Sequence, residues 1–324
     1  MSPLDADPLQ DPRALALARG RALDLIGALF REGPTRVDAL RAVEALAPFV
    51  PGDPEVAAAE HHRALSMEVF PFASVFLGAR ATLGGAHADA AREAMAQAGF
   101  DPAPLGVEPD HLGALLAALA FLCGAEADAW RDGRPDIAKR VRAHAAALID
   151  GQLLPWLPAL IIALEDARAP LYATAAGLAL ELIAGMREGP LPDWSLPQAP
   201  AVLDDPKAGL RRVGAHLAVP AFAGGMWTLS ALTAVGRQAE LAQGFGRRAQ
   251  RIEGLLSAAA HYARVPALIA EMDHVMMRWS SRFRTMAPLA PTGPWLHRVE
   301  DARALLTRLV QAADAGATDH LSIS

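Results

Sequence analysis

One cysteine, Cys123, stands in a chain of 324 residues. A single thiol excludes an internal disulfide framework and any thiolate metal cluster built by one copy of the chain. Aromatic residues are also sparse, at 6 % against 52 % apolar overall, so alanine and aliphatic side chains must build the core. Alanine and leucine are strong helix formers, while the β-branched and aromatic residues favoured by strands are few, which indicates an all-α fold. Positive charge is not in excess: 30 Lys and Arg face 36 Asp and Glu, for a net charge of -6. That balance excludes a general nucleic-acid binder, which needs a basic face to neutralise phosphates. Long apolar runs are missing too. The stretch "LLPWLPALIIAL" (Leu153–Leu164) is broken by prolines and ends on Glu165-Asp166, too short to span a bilayer. The opening "MSPLDADPLQDP" is acidic and has neither the basic nor the apolar region of a secretory signal. A cytoplasmic chain without stable membrane insertion is expected.

What is present is helical periodicity punctuated by proline and glycine. Apolar spacing predicts helices over Arg13–Phe30, near Thr35–Ala47, from Glu55 towards Val69, and near Ala86–Ala98. Further helices are expected after Glu108, over Arg134–Asp150, Leu157–Asp166 and Leu171–Arg187, then near Lys207–His216, Leu229–Ala242, Arg247–Tyr262, Pro266–Arg284 and Val299–Ala313. The stretch "GPLPDWSLPQAPAVLDDP" (Gly189–Pro206) is too rich in proline to be helical. The expected division is a helical region over 12–187, a Pro-rich linker over 188–206 and a second helical region over 207–316. "VPAFAGG" reads as a turn between helices.

Few residues group in patterns that carry chemistry. His61 and His62 are adjacent, so on a helix they diverge by about 100° and do not converge on one metal. No HExxH pair, phosphate-binding glycine loop in a βαβ context or GxSxG elbow occurs. No metal and no cofactor is expected. The step "VEPDHL" (Val107–Leu112) stands before a long apolar run. Pro109 suits the first turn of a helix, acidic Glu108 and Asp110 suit its positive end, and His111 suits a cap or hinge. Read locally, the step is as well explained by helix initiation as by function.

Three separated segments carry a resemblance. "EHHRALSMEVFPFASVFLG" (Glu60–Gly78), "EPDHLGALLAALAFLCGAEADAW" (Glu108–Trp130) and "LAVPAFAGGMWTLSAL" (Leu217–Leu232) resemble, in the same order, segments of the TorD/DmsD/NarJ-type chaperones dedicated to molybdenum oxidoreductases. The resemblance covers roughly Arg13 to Trp279. It departs where Phe72 and Ala73 replace the family's tyrosine and glutamate, where Ala223 replaces a loop serine, and where Ala114 and Ala117 replace acidic residues after the histidine.

The resemblance implies an irregular multi-helix bundle of the TorD-like type, with additional C-terminal helices and no catalytic residues. It implies binding to a molybdoenzyme catalytic subunit, often through its N-terminal twin-arginine leader, until cofactor insertion is complete. A leader pairs an apolar stretch with basic residues, which an apolar groove with acidic groups would complement. Phe70, Pro71, Phe72, Ser74, Phe76, Leu112 and Leu115 are the expected groove, with Glu68, Glu108, Pro109, Asp110 and His111 at its polar side. Pro220, Gly224 and Trp227 form a possible secondary loop. Monomer and homodimer are both open. A helical metal- or nucleotide-binding enzyme or carrier is the alternative, motivated by the scattered histidines and "FAGG".

Overall fold

The computed structural model describes residues 11–202, 209–242 and 244–321. The acidic N-terminal stretch, the end of the Pro-rich linker (203–206) and the last three residues of the C-terminal tail therefore lie outside the described residues. Among the described residues there are fifteen α-helices and no strand. They are α1 Pro12–Glu32, α2 Val37–Arg41, α3 Pro54–His62, α4 Ala73–Leu77, α5 Ala86–Gln97, α6 Leu112–Arg131, α7 Pro135–Leu148 and α8 Leu157–Asp166. There follow α9 Pro170–Ala184, α10 Leu210–Leu217, α11 Pro220–Ala223, α12 Leu229–Gln238, α13 Arg248–His261, α14 Val265–Met286 and α15 Gly293–Leu321.

Prolines open many of these helices rather than breaking them. Pro12, Pro54, Pro135, Pro170 and Pro220 each occupy a first helical position, where the missing N–H would have had no partner. Asp11 and Asp53 cap two of them, accepting from Arg13 N at 3.0 Å and Glu55 N at 2.7 Å. Two helices run on into π-helical turns, Arg63–Glu68 after α3 and Ile149–Leu153 after α7.

Four local expectations change. The helix expected near Thr35–Ala47 contracts to α2, followed by a 3-10 turn at Ala47–Phe49. The turn "VPAFAGG" contains the short α11, and the last helix starts at Gly293 rather than near Val299. The long apolar helix begins at Leu112 with His111 as its cap, so Pro109 lies outside its first turn.

The chain forms two compact units. The first comprises residues 11–74, 83–157 and 169–192. Its spine is α6 packed along α1, with α7 on α6 and α9 on α1. Glycines allow the close approach. A Cβ at Gly113 would lie 2.6 Å from both Gly27 O and Arg31 Cγ, and one at Gly20 would lie 3.1 Å from Cys123 Cβ. By length and composition α6 could cross a membrane, but 67 % of its apolar window is buried inside the protein. The burial of Leu115, Leu116, Leu119 and Leu122 makes it the core helix of this unit.

The second unit comprises residues 75–82, 158–168 and the described residues from 193 onward. Here α14 packs against α12, α13 and α15, and α10 packs on α13. Tryptophans dominate its core: Trp227 and Trp279 lie 4.9 Å apart, and Trp295 stacks on Phe283 at 5.9 Å. The described part of the Pro-rich stretch, up to residue 202, is non-helical but anchored, because Trp194 donates to Pro291 O at 2.7 Å and Arg298 to Pro197 O at 3.0 Å.

Candidate functional site

Two of the segments singled out in the sequence meet inside the first unit. Pro71–Ser74 and Glu108–Leu112 run past each other as a one-rung antiparallel bridge between Phe72 and His111. The backbone is paired on both sides of it: Ala73 N donates to Asp110 O at 3.0 Å, and Leu112 N donates to Pro71 O at 2.9 Å. The Asp110 side chain adds a third link, with Oδ2 accepting from Ser74 N at 2.8 Å in the first turn of α4. A carboxyl group at that end satisfies an N–H that the helix itself leaves unpaired. Its other oxygen, Oδ1, is buried and has no hydrogen-bond partner among the described residues.

The His111 side chain is held by two contacts. Its Nδ1 accepts from Gly113 N at 3.1 Å, which caps α6 and assigns the ring proton to Nε2. Its ring meets Phe72 edge-on, with centroids 4.8 Å apart. Burial holds the imidazole down to about 3, and the nearby Arg31 and His61 push in the same direction. It is therefore neutral at pH 7, as an accepting Nδ1 requires. Arg31 supports the same turn by donating to Gly113 O at 2.7 Å.

Asp110 is 0 % exposed and His111 5 %. They form a latch behind the surface. In front of them lies an open cleft of about 580 Å³. Phe72, Pro102, Val107 and Pro109 give it apolar wall, and Arg92, Asp101 and Glu108 give it charge. Glu108 is about half exposed and sits 4.0 Å from Arg92, which pairs more closely with Asp89 at 2.7 Å.

The expected groove residues separate into distinct places. Phe72, Glu108 and Pro109 line the cleft. Pro71 and Ser74 are buried beside the latch, and Phe70 is half-buried. Leu112 and Leu115 are core residues of α6 with no exposure, and Glu68 is buried. Phe76 is buried in the second unit. These burials leave Leu112, Leu115 and Phe76 off any open surface, because the apolar side chains that would complement a leader are equally the ones a packed core takes up. The possible secondary loop is core as well. A Cβ at Gly224, which has φ +80, would lie 2.5 Å from Val299, and Trp227 is fully buried with Pro220 close by in sequence and also buried. Spacing did not single out Arg92, Asp101, Pro102 or Val107. For Asp101, Pro102 and Val107 the signal was the Pro/Gly-dense run "DPAPLGVEP" (Asp101–Pro109), whose position directly before the latch makes it cleft wall, whereas Arg92, on α5, carried none.

Among the described residues, no group of three His, Cys, Asp or Glu side chains is placed to hold a metal ion. Residues 39–161 match the family model of the nitrate reductase delta subunit. No curated protein and no solved structure matches the chain.

Proposed function

Over residues 39–161 the chain belongs to the nitrate reductase delta subunit family of NarJ/TorD-type chaperones, and from that premise we propose that its Phe72–Glu108 cleft receives the leader of a molybdoenzyme catalytic subunit. Family membership implies a maturation chaperone for a molybdenum oxidoreductase. The family's members are non-catalytic, which sets aside the enzyme alternative.

The observation that supports the leader reading is the cleft itself, whose residues all fall inside the matched segment. One arginine against two carboxyl side chains gives its lining an acidic balance, set beside an apolar wall. A basic pair followed by an apolar stretch is the complementary ligand. The 4.0 Å separation of Arg92 and Glu108 is a loose, solvent-exposed pair, so an incoming guanidinium displaces it at little cost. In this reading Phe72, Pro109 and Glu108 touch the leader, while Asp110 and His111 hold Phe72 and Glu108 in place from behind. The chaperone binds its client in the cytoplasm and holds it until the cofactor is inserted, as monomer or homodimer.

The test is binding of fluorescently labelled leader peptides from the molybdoenzyme catalytic subunits of the native cell. Phe72→Ala and the double change Asp101→Asn, Glu108→Gln should each weaken the best-binding leader by about tenfold, the worth of one well-made contact. Unchanged affinity in both variants would remove the cleft from the leader-binding reading.

A further inference from the structure

The second unit holds a cavity of about 430 Å³ that lies wholly outside the matched segment. It is formed where the end of α8 and the residues just after it face the first half of α12 and the second half of α14. Arg168, Arg278 and Arg282 line it together with Glu165 and Asp166, so three guanidiniums stand against two carboxyl groups and leave one positive charge in excess. That sign is opposite to the net charge of the chain, -6. Its apolar lining comes from Ile162, Ala231, Ala234 and Trp279.

The pairing inside the cavity shows which charge is available. Arg282 is committed to Glu165 through two bonds, Nε at 2.9 Å and Nη2 at 2.5 Å. Asp166 is only 10 % exposed and accepts Trp279 Nε1 at 2.6 Å. Arg278 differs: among the described residues its only acceptor is Asp166, through a single long bond at 3.3 Å, and its side chain is 60 % exposed. A planar guanidinium with most of its donors open matches one carboxylate through two parallel bonds. Arg168, two residues past the end of α8, stands on the cavity rim with φ +53. Burial pushes the Asp166 carboxyl up from its ordinary range, and the Trp279 bond and the Arg278 charge oppose that shift.

We propose that this cavity binds a carboxylate carried on a short apolar body, with Arg278 as its anchor and Ile162, Ala231 and Ala234 against the body. One loosely paired guanidinium, that of Arg278, suits a monoanion, and the cavity is larger than a bare inorganic ion needs. A free small acid and the carboxylate terminus of a protein segment present the same chemistry. The site is independent of the leader cleft, and neither proposal depends on the other.

Calorimetric titration of the full chain tests it with four probes: hexanoate, the peptide acetyl-Ala-Ala-Leu as free acid, the same peptide as C-terminal amide, and sodium phosphate. At least one carboxylate probe should bind, and the amide should bind about tenfold more weakly than the free-acid peptide. Arg278→Gln should weaken the carboxylate by a similar factor, and Ala234→Phe, which fills the cavity without removing a charge, should abolish binding while the circular dichroism melting curve stays as in the parent. A peptide at least about tenfold tighter than hexanoate identifies a protein terminus as the ligand, and equal or tighter hexanoate identifies a free acid. The proposal is overturned if neither carboxylate binds, if the amide matches the acid, if Arg278→Gln binds like the parent, or if phosphate outcompetes both carboxylates.

Discussion

The side chain of Asp110 accepts the backbone N–H of Ser74 at 2.8 Å, across 36 positions of sequence. This bond ties the start of α4 to the turn that launches α6. Because Asp110 is fully buried, removing its carboxyl leaves the Ser74 N–H without water to replace it. Asp110→Ala should cost about 1–3 kcal/mol, whereas Asp110→Asn, which keeps an acceptor, should cost less. Hydrogen exchange locates the effect: the Ser74 amide should lose protection in the alanine variant and keep most of it in the asparagine variant. Equal protection in the parent and Asp110→Ala would show that the bond contributes nothing.

His111 makes the first unit sensitive to acid. Its imidazole is held down to about 3 in the folded chain, by burial first and then by Arg31 and His61, whereas an unfolded histidine titrates near 6.5. Between those values the unfolded chain binds the extra proton, so stability is fully present above about pH 6.5 and is lost as pH falls. The loss from this residue approaches 1.4 kcal/mol per pH unit. His61, also lowered by burial and by His62, adds in the same direction. Urea midpoints at pH 7 and pH 4.5 should therefore draw together in His111→Asn, which keeps a cap on α6 without the titration. A variant whose midpoint falls as steeply as the parent's would refute the assignment.

Gly113 and Gly124 lie on one helix and should respond in opposite ways to the same substitution. A Cβ at Gly113 meets the backbone of Gly27 and the Arg31 side chain at 2.6 Å, so α1 and α6 must move apart. Gly113→Ala should destabilise by about 1–3 kcal/mol. A Cβ at Gly124 meets nothing within 4 Å, and alanine there should stabilise by about 0.5–1 kcal/mol through helix propensity. Denaturant unfolding of the two variants checks both signs.

Cys123 reports on the opening of the same helix pair. It is 2 % exposed, and burial, with Glu126 adding and Arg19 opposing, pushes its thiol up to about 12. A thiol so placed is neither accessible nor ionised at neutral pH. Iodoacetamide should leave the native chain unmodified while labelling it quickly in denaturant, and Gly113→Ala should raise the native labelling rate. Rapid labelling of the folded parent would contradict the packing of α1 on α6.

The class of fold, the helix starts and the location of the Asp-His step were legible in the sequence because their causes are local. Alanine and leucine content, aspartate caps and first-turn prolines act within a few residues, and α1, α3, α7 and α9 begin on such signals. Local chemistry was less able to place the start of α6: His111 caps it, one of the two roles it suited, but Pro109 lies before the helix rather than in its first turn. What only the tertiary structure decided is which face of each segment meets water. Phe72 and Leu112 belong to segments with similar apolar character, yet Phe72 borders the cleft and Leu112 has no exposure, because α6 is enclosed by α1 and α7. Asp110 and His111 likewise look like surface residues of a polar helix start, and long-range pairing with Pro71–Ser74 buries them. The cavity around Arg278 joins residues 112 positions apart from Asp166, a distance over which no spacing rule operates. Helix propensity acts along the chain, whereas burial depends on which helices pack together, and that choice is made by the whole core.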